Sequence, residues 1–254
     1  MILIFGNTGQ VAQELQRTGD VLALGRDLTN LSSPSSCYDA IKFHVPEAVI
    51  NAAAYTDVDK AETEEELATI INGNSPKAMA QACATLNIPL VHLSTDYVFD
   101  GTGDEPWQPK DATKPQNAYG RSKQKGEDSI RSVGSTYGIL RTSWVVSSHG
   151  TNFVKAMLNL SENRDTLSLV ADQIGGPTPA KDIAKACLQI VEQLKQEPSK
   201  SGTYHFSGTE DVSWADFAKE IFQQTGRSVN ILPIPTSEYP TPAVRPLNSR
   251  LNCS

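Results

Sequence analysis

The sequence predicts an α/β protein with a doubly wound parallel sheet and a smaller C-terminal lobe. Three observations predict it. Short apolar runs of strand length alternate with segments of helical period, a glycine turn directly follows the first apolar run, and the rhythm loosens after about residue 145, where Pro and Gly become frequent. Short apolar strands separated by helices favour parallel pairing, with helices covering both faces of the sheet.

We predict strands at residues 1–5, 21–24, 48–51, 90–94, 137–141, 167–170 and 203–206. We predict helices at residues 10–18, 76–86, 118–131, 152–164, 180–196 and 213–225. Right-handed crossovers between such strands leave a ligand crevice at the carboxyl ends of the sheet.

The chain is expected to divide at about residue 145. Residues 1–145 should form the sheet domain, completed by strands from later residues. Residues 146–254 should form mainly the smaller lobe, with loop-rich stretches at 175–179 and 233–246.

The charge balance constrains the class of partner. With 22 basic and 29 acidic residues the chain carries a formal charge of −7, which argues against binding to nucleic acid. An anionic small ligand stays open, because a few arginines and backbone amides bind phosphate inside an acidic protein.

The cysteine spacing and the N-terminal residues argue against further classes of protein: metal-binding, disulfide-rich, secreted and membrane-spanning. The four cysteines lie far apart without a Cys-x-x-Cys pair, so we expect neither a metal site nor a disulfide framework. The apolar run 1–5 ends at Gly6 with no basic leader, too short for a signal peptide or a membrane span. We therefore expect a cytoplasmic protein without a membrane partner.

The first strand runs into a turn with glycine at Gly6 and Gly9 and alanine at Ala12. Glycine permits close approach of a pyrophosphate, and the following helix start offers backbone amides. An ordinary strand-to-helix turn has the same pattern. Its position at the start of an α/β rhythm favours a Rossmann-type dinucleotide site.

The second strand ends in Gly25-Arg26-Asp27. An acidic residue directly after this strand would bind the ribose hydroxyl of NADH, whereas an arginine accommodates the phosphate of NADPH. Arg26 therefore favours NADPH, with NADH still possible. A solvated surface charge is an equally good interpretation of Arg26.

Tyr119 and Lys123 stand four residues apart on a predicted helix and should project from one side of it. A neighbouring ammonium should lower the pKa of the phenol and make it an acid–base catalyst. A tyrosine and a lysine at this spacing are a weak signal by themselves. It gains weight from Thr95 and Asp96, directly after the predicted fourth strand, where a hydroxyl can bind a substrate oxygen beside the tyrosine.

With these motifs the chain resembles the extended short-chain dehydrogenases, and within them the dTDP-4-dehydrorhamnose reductases. The resemblance covers nearly the whole chain. The matching segments are residues 6–10, 51–56, 58–62, 94–101, 119–123, 141–144 and 245–251.

The resemblance implies roles for individual residues. Catalysis would fall to Tyr119, Lys123 and Thr95. The cofactor would be bound by Gly6, Thr8, Gly9, Gln10, Val11, Arg26, Asp27, Leu28, Ala53, Ala54, Thr56, Tyr119 and Lys123. The substrate would meet Thr95, Asp96, Trp144, Asn152 and Arg245. Taken without the family, Trp144 is as well explained by a core position, and Arg245 by an ion pair with a carboxylate such as Glu238.

The implied activity is the NADPH-dependent reduction of a dTDP-4-keto sugar to dTDP-L-rhamnose. Two alternatives stay open: another sugar-nucleotide enzyme of this fold, such as a 4-epimerase or dehydratase, and a non-catalytic dinucleotide-binding regulatory subunit. The dehydratase is less favoured because Asp96 is followed by Tyr97 and not by Glu. Retention of the catalytic residues speaks against the regulatory subunit.

Two features depart from the family pattern. Members usually continue for another helix or two, whereas this sequence ends at Ser254. Some relatives dimerise through metal-bound acidic side chains, and Lys181 stands where an acid would help. We therefore expect no metal and a monomer or weak homodimer.

Histidines and acids give no competing site. His92 lies in a predicted buried strand and is interpreted as a core residue. The acidic run 62–66 is interpreted as the solvated first turn of a helix.

Overall fold

A six-stranded, wholly parallel sheet forms the centre of the structure, a computed structural model that describes residues 1–254. Its strands are β1 (Ile2–Phe5), β2 (Val21–Leu24), β3 (Ala48–Asn51), β4 (Leu90–Thr95), β5 (Tyr137–Thr142) and, after four strands of the smaller sheets given below, β10 (Gly202–His205). Their spatial order is β2-β1-β3-β4-β5-β10. The chain changes direction across the sheet between β1 and β3, and ligands bind at such a switch point.

Eight α-helices accompany the strands. They are α1 (Gln10–Gln16), α2 (Pro34–His44), α3 (Glu65–Thr69), α4 (Ser75–Leu86), α5 (Ala118–Val133), α6 (Phe153–Leu160), α7 (Ala180–Gln196) and α8 (Trp214–Gln224). A π-helical turn, Ile70–Asn74, joins α3 to α4. Short 3₁₀ turns lie at Lys60–Glu62, Asp96–Val98, Pro198–Lys200 and Thr236–Glu238.

Apolar side chains alternate between the two faces of the sheet, as the strand period requires. Ile4 and Ile50 face α1 and α7, and Leu3 and Val49 face the layer of α2, α4 and α5. All four side chains are fully buried. This two-sided burial explains why the strands read as continuous apolar runs.

The smaller lobe has its own core. Strands β7 (Thr166–Val170) and β12 (Asn230–Ile234) form a parallel pair, against which α8 packs together with α6. Three two-residue pairs connect this lobe to the sheet domain. They involve β6 (Val145–Val146), β8 (Ile174–Gly175), β9 (Thr178–Pro179), β11 (Val212–Ser213) and β13 (Asn248–Ser249).

The predicted fold class is confirmed, and each predicted strand and helix is present with small shifts at its ends. Helix α2 was not predicted. Strand β12 was not predicted either, and it begins before the predicted loop 233–246 and extends into it. Pro233 is tolerated there because β12 pairs only with β7. The division at residue 145 stays a prediction, although α7 and β10 join the sheet domain as later contributions. None of the helices combines the length and apolar character that a bilayer crossing requires.

Candidate active site

The candidate site begins where β1 and β3 end side by side. Phe5 and Asn51 are paired in register, so the turns that follow them meet at one edge of the sheet. Gly6 has φ +99°, in the region that favours glycine, and an added Cβ would stand 3.3 Å from the Cβ of Ala53. The turn therefore needs glycine to keep this approach open.

An open cleft of about 840 Å³ lies over this switch point. Of the predicted cofactor residues it is lined by Gly6, Thr8, Gly9, Arg26, Asp27, Ala53, Ala54 and Thr56. No side chain caps the start of α1, so its first amides are free to bind phosphate. A glycine turn, free amides and an elongated cleft fit a dinucleotide. A smaller cleft of about 410 Å³, between residues 177–182 and 206–220, contains none of the predicted site residues.

Five predicted cofactor residues do not line this cleft: Tyr119 and Lys123, described below, and Gln10, Val11 and Leu28. Val11 packs into the core, and Leu28 is largely exposed beside the cleft. Gln10 turns toward the smaller lobe, where its amide donates to Val145 O at 3.2 Å. Any contact of Val11 with a cofactor must therefore come from its backbone.

Arg26 and Asp27 are exposed at the β2 end of the cleft. Neither side chain forms an ion pair within the protein. Both side chains are therefore available to a ligand. An exposed arginine without an ion pair is also what the surface-charge interpretation of Arg26 predicts, so both interpretations stay open.

Helix α5 presents the predicted catalytic pair, and its first turn is held from two sides. Asn117 caps the helix by accepting from Gly120 N at 2.7 Å. Glu62 accepts from Ala118 N at 2.8 Å, so this acid is a tertiary contact as well as part of an acidic turn. A side chain at residue 120 would collide with the Tyr97 carbonyl. Glycine at this position therefore allows the loop after β4 to pack closely against α5.

Thr95 and Asp96 form a buried polar pair at the end of β4. The Thr95 hydroxyl donates to Asp96 Oδ1 at 3.1 Å and accepts from Tyr97 N at 3.2 Å. Asp96 Oδ2 is buried without a partner. Burial raises the pKa of Asp96 to about 6, which is opposed by hydrogen bonds from Ser249 and Thr95.

The pKa of Tyr119 is raised, so the expectation that Lys123 lowers it is wrong for this structure. Burial of the phenol is the main cause, followed by the charge of Asp96, while the Thr95 hydroxyl acts against the shift. The phenol therefore stays protonated at neutral pH, as it would at its ordinary pKa. A protonated phenol is the form that can give a proton to a substrate oxygen.

Lys123 is 2% exposed and points into the protein between α5 and β4. Its Nζ donates to Leu93 O at 2.6 Å and lies 3.3 Å from His92 Nε2. Burial lowers the pKa of Lys123 to about 8, against the opposing charge of Glu127. Lys123 is thus directed at Leu93 and His92, and its charge is not among the causes that shift the pKa of Tyr119.

A buried ion pair between Glu127 and Arg141 lies between β5 and the helix that carries Tyr119 and Lys123. Glu127, one turn after Lys123, accepts from Arg141 at 2.9 and 2.7 Å and from the Ser94 hydroxyl at 2.6 Å. Burial alone would raise the pKa of Glu127, but the hydrogen bonds from Arg141 and Ser94 hold it below its ordinary value. The ion pair joins α5 to β5, and the bond from Ser94 joins the end of β4, next to Thr95, to the helix that carries Tyr119.

Arg245 reaches the same pocket from the C-terminal segment. Its Nη2 donates to Asp59 Oδ2 at 2.7 Å, so the alternative of an ion pair with a carboxylate is confirmed, with Asp59 as the partner in place of Glu238. Its Nη1 is buried without a partner. Asp59 also accepts from Ala243 N at 3.1 Å, and the Asn117 amide donates to Val244 O at 2.8 Å, which fixes this segment to the start of α5.

Trp144 and Asn152 lie at the border with the smaller lobe. Trp144 has φ +45° and stacks on Trp214 with ring centroids 3.4 Å apart. Asn152 caps α6, and its amide donates to Gln10 Oε1 at 2.9 Å and Ser147 O at 2.7 Å. All its hydrogen bonds are to protein, so its contact with substrate stays a prediction.

Sequence reasoning missed several supporting residues. Asn51 and His92 are buried polar side chains that contact each other, and His92 also contacts Lys123. Glu127 is buried as well and accepts from Ser94 at the end of β4. A polar residue inside an otherwise apolar strand was a usable signal for Asn51 and His92, since such groups need buried partners. Glu127 follows Lys123 at the spacing of one helical turn, which was available as well.

Comparison with known proteins agrees with this geometry. The model of the RmlD substrate binding domain matches residues 1–254. A dTDP-4-dehydrorhamnose reductase of Sinorhizobium fredii is 43% identical, with 99% of this chain and 88% of the relative covered. One of Salmonella typhimurium is 41% identical, with 99% and 89% covered. The crystal structure of the Bacillus anthracis dTDP-4-dehydrorhamnose reductase in complex with NADP superposes with a TM-score of 0.93 at 36% identity, covering 100% of this chain and 90% of the other.

Proposed function

The chain belongs to the RmlD family, and from this membership we propose that it reduces the 4-keto group of dTDP-4-dehydro-L-rhamnose with NADPH to give dTDP-L-rhamnose. It is an NADP-dependent oxidoreductase of nucleotide-sugar biosynthesis. The observation that supports this most directly is that Thr95, Tyr119 and Lys123 lie around the carboxyl end of β4, with Tyr119 packed in one cluster with Tyr55, a residue of the cleft wall.

We assign the dinucleotide to the cleft. The glycine turn and the free amides of α1 suit its pyrophosphate, Ala53, Ala54 and Thr56 its middle, and Arg26 and Asp27 its adenosine end. Bound there, NADPH supplies the hydride for C4 of the sugar. The preference for NADPH over NADH rests on Arg26, which has no carboxylate partner of its own.

The protein's part in the reaction is proton transfer and orientation. Negative charge develops on the C4 oxygen, and Tyr119, protonated at neutral pH, donates its proton to that oxygen. The Thr95 hydroxyl is free to donate to the same oxygen once it releases Asp96. Lys123 orients the tyrosine and the nicotinamide ribose.

For the substrate we assign Thr95 and Asp96 to the sugar, Trp144 to the wall of the pocket and Arg245 to the diphosphate. The partnerless Nη1 of Arg245 supports its role, because a buried guanidinium nitrogen lacks a hydrogen bond until an anion binds. We give Asn152 a positioning role through Gln10. A cytoplasmic location and a monomeric or weakly dimeric state stay predictions.

The experiment that tests this function is NADPH oxidation by the purified protein with dTDP-4-dehydro-L-rhamnose. Stoichiometric formation of dTDP-L-rhamnose supports the reductase. Conversion of a nucleotide sugar without net NADPH consumption would instead support an epimerase or dehydratase. Binding of NADPH without turnover of any of these sugars would support the regulatory subunit.

A further inference from the structure

Two indole rings lie face to face at the border between the sheet domain and the smaller lobe. The ring centroids of Trp144 and Trp214 are 3.4 Å apart, and the ring planes differ by 9°. Trp214 opens α8 and packs in turn against Phe153, whose ring stacks on Phe217 at 5.4 Å. Phe153 and Phe217 pack against the core of the smaller lobe, so a continuous row of aromatic rings joins Trp144 to that core.

Trp144 needs support because its backbone has φ +45°, a left-handed conformation that a bulky residue rarely adopts. Such a conformation persists only where the surrounding structure fixes it by several contacts. A Cβ at Gly175 would stand 2.8 Å from Cε2 of Trp144, so the indole lies directly on this glycine of β8. The ring of Trp144 therefore contacts a stacked indole and a backbone glycine, which together hold the strained conformation.

Trp214 is itself fixed by a hydrogen bond. Its Nε1 donates to Gln173 Oε1 at 3.1 Å, and Gln173 Nε2 donates to the Thr236 hydroxyl at 3.1 Å. Gln173 is 8% exposed, so these bonds are largely shielded from water. With its N–H bonded and its ring packed against Phe153, Trp214 presents a fixed flat surface to Trp144.

The indole N–H of Trp144 differs from those of the two other tryptophans. Trp107 Nε1 donates to Asn248 O at 3.2 Å, and Trp214 Nε1 is bonded as described. Trp144 Nε1 has no hydrogen bond within the protein, although an indole N–H is a donor that usually finds a partner. Because Trp144 is half-buried, this donor is available to a ligand.

The free N–H lies on the side of the pocket where the sugar is assigned. A Cβ at Gly175 would stand 2.9 Å from Trp144 Nε1 and 3.0 Å from the Cβ of Ser249. Ser249 is paired with Gly175 in register, and its hydroxyl acts on the carboxyl group of Asp96. The direction of the Trp144 N–H therefore depends on the plane in which its ring is held.

We propose that Trp214 is a positioning residue that fixes the plane of Trp144 and thereby directs the free indole N–H of Trp144 at the sugar. The proposal deepens the proposed function, on which it rests for the contact between Trp144 and the substrate. The plane of Trp144 itself does not depend on turnover. In this arrangement the core of the smaller lobe contributes to sugar binding through one stacked ring.

Nitrogen-15 NMR of the indole groups tests the positioning without ligand. The chain has three tryptophans, and each resonance is assigned by the phenylalanine variant that removes it. We expect one sharp Trp144 resonance in the wild type and in Trp214→Phe, which keeps an aromatic face. In Trp214→Leu this resonance should broaden or divide. A single sharp Trp144 resonance in Trp214→Leu overturns the proposal, whether or not the protein reduces any sugar.

Steady-state kinetics tests the consequence for the sugar. Trp214→Leu should raise KM for the sugar nucleotide about three- to tenfold with little change in kcat, because one neutral hydrogen bond is lost alike in the ground and transition states. Trp214→Phe should restore most of the affinity. Phe217→Leu is the matched control, since Phe217 stacks on Phe153 and on neither indole, and it should lower the melting temperature without raising KM. Equal KM values for Trp214→Leu and Phe217→Leu would reduce Trp214 to a packing residue and overturn the proposal.

Titration of the wild type with dTDP-L-rhamnose separates this proposal from the proposed function. The Trp144 resonance should shift when the sugar nucleotide binds, and dTDP alone should leave it in place. Binding of dTDP-L-rhamnose with an unmoved Trp144 resonance overturns the proposal alone. Absence of binding overturns the proposed function and the sugar contact with it.

Gln173→Leu serves if Trp214→Leu does not fold. It keeps both indoles and removes the acceptor that fixes Trp214, so the Trp144 resonance should broaden and KM should rise in the same direction. A sharp Trp144 resonance together with a wild-type KM in this variant overturns the proposal.

Discussion

The guanidinium of Arg245 lies 2.7 Å from the carboxylate of Asp59, although 186 positions separate the two residues in the sequence. The bond holds the C-terminal segment against the turn that begins at Lys60. It occupies one nitrogen of Arg245 and leaves Nη1 buried without a partner, so pairing and ligand binding are compatible functions of this side chain.

Arg245→Ala should raise KM for the sugar nucleotide about tenfold to a hundredfold with little change in kcat. A diphosphate is bound alike in the ground and transition states, and a charge-assisted bond contributes about 1.5–3 kcal/mol. Affinity for NADPH should be nearly unchanged. Asp59→Asn keeps the guanidinium but weakens its anchor and is the matched control. If Arg245→Ala lowers only the melting temperature and leaves KM unchanged, Arg245 is a structural residue.

Tyr119→Phe should reduce kcat by about two to four orders of magnitude and preserve NADPH affinity, because only the proton donor is removed. Steady-state kinetics and cofactor titration measure the two quantities. Tyr204→Phe removes a hydroxyl on β10 that bonds to Lys200, and serves as control. A near-normal kcat for Tyr119→Phe would exclude it as the general acid.

Arg26→Ala should weaken NADPH binding by about 1–3 kcal/mol and leave NADH binding nearly unchanged, because only NADPH carries the additional phosphate. Isothermal titration with each cofactor measures the difference. Arg17→Ala removes another exposed arginine, at the far end of α1, and should affect neither. Equal losses for the two cofactors would make Arg26 a general surface charge.

Asp96→Asn should stabilise the protein at neutral pH. Because burial raises the pKa of Asp96 from 3.8 to about 6, the folded state binds its proton more tightly than the unfolded state. The free energy of unfolding therefore falls as pH rises through this window, and the penalty is complete above it. Removing the charge should add about 1–3 kcal/mol at pH 7, and the gain should vanish below about pH 4.

Denaturant unfolding across pH measures this difference, and Asp100→Asn provides a control of opposite sign. Hydrogen bonds from Thr102 lower the pKa of Asp100, so its charge contributes stability above 3.8 that is lost as pH falls through the lowered pKa. Its replacement should destabilise the protein at pH 7. A stability gap between wild type and Asp96→Asn that does not depend on pH would contradict the buried charge.

The parts of the fold and site that sequence predicted are those with local patterns. The turn at Gly6, the position of Tyr119 and Lys123 on one helix and the apolar strands all follow from spacing within a few residues. Helix α2 was missed because it opens with Pro34 and serines, which are weak helix formers, and is held by packing against α4.

The remaining features depend on burial and on contacts between distant residues. The raised pKa of Tyr119 comes from its surroundings, which spacing to Lys123 does not report. An ion pair of Arg245 was considered with a carboxylate such as the nearby Glu238, whereas the fold brings the distant Asp59 next to it. His92 was interpreted as a satisfied core residue, and its buried contacts are Asn51 and Lys123, which spacing along the sequence does not report.

The late arrival of α7 and β10 has a consequence for synthesis on the ribosome. Until residues 180–205 emerge, β5 is an unpaired sheet edge, and the apolar face carrying Ile4 and Ile50 lacks the helix that covers it. Loop closure over more than 50 intervening residues precedes those contacts, which slows assembly. The nascent chain therefore passes through a stage with an exposed apolar face and a free edge, the condition in which chaperones bind and neighbouring chains aggregate.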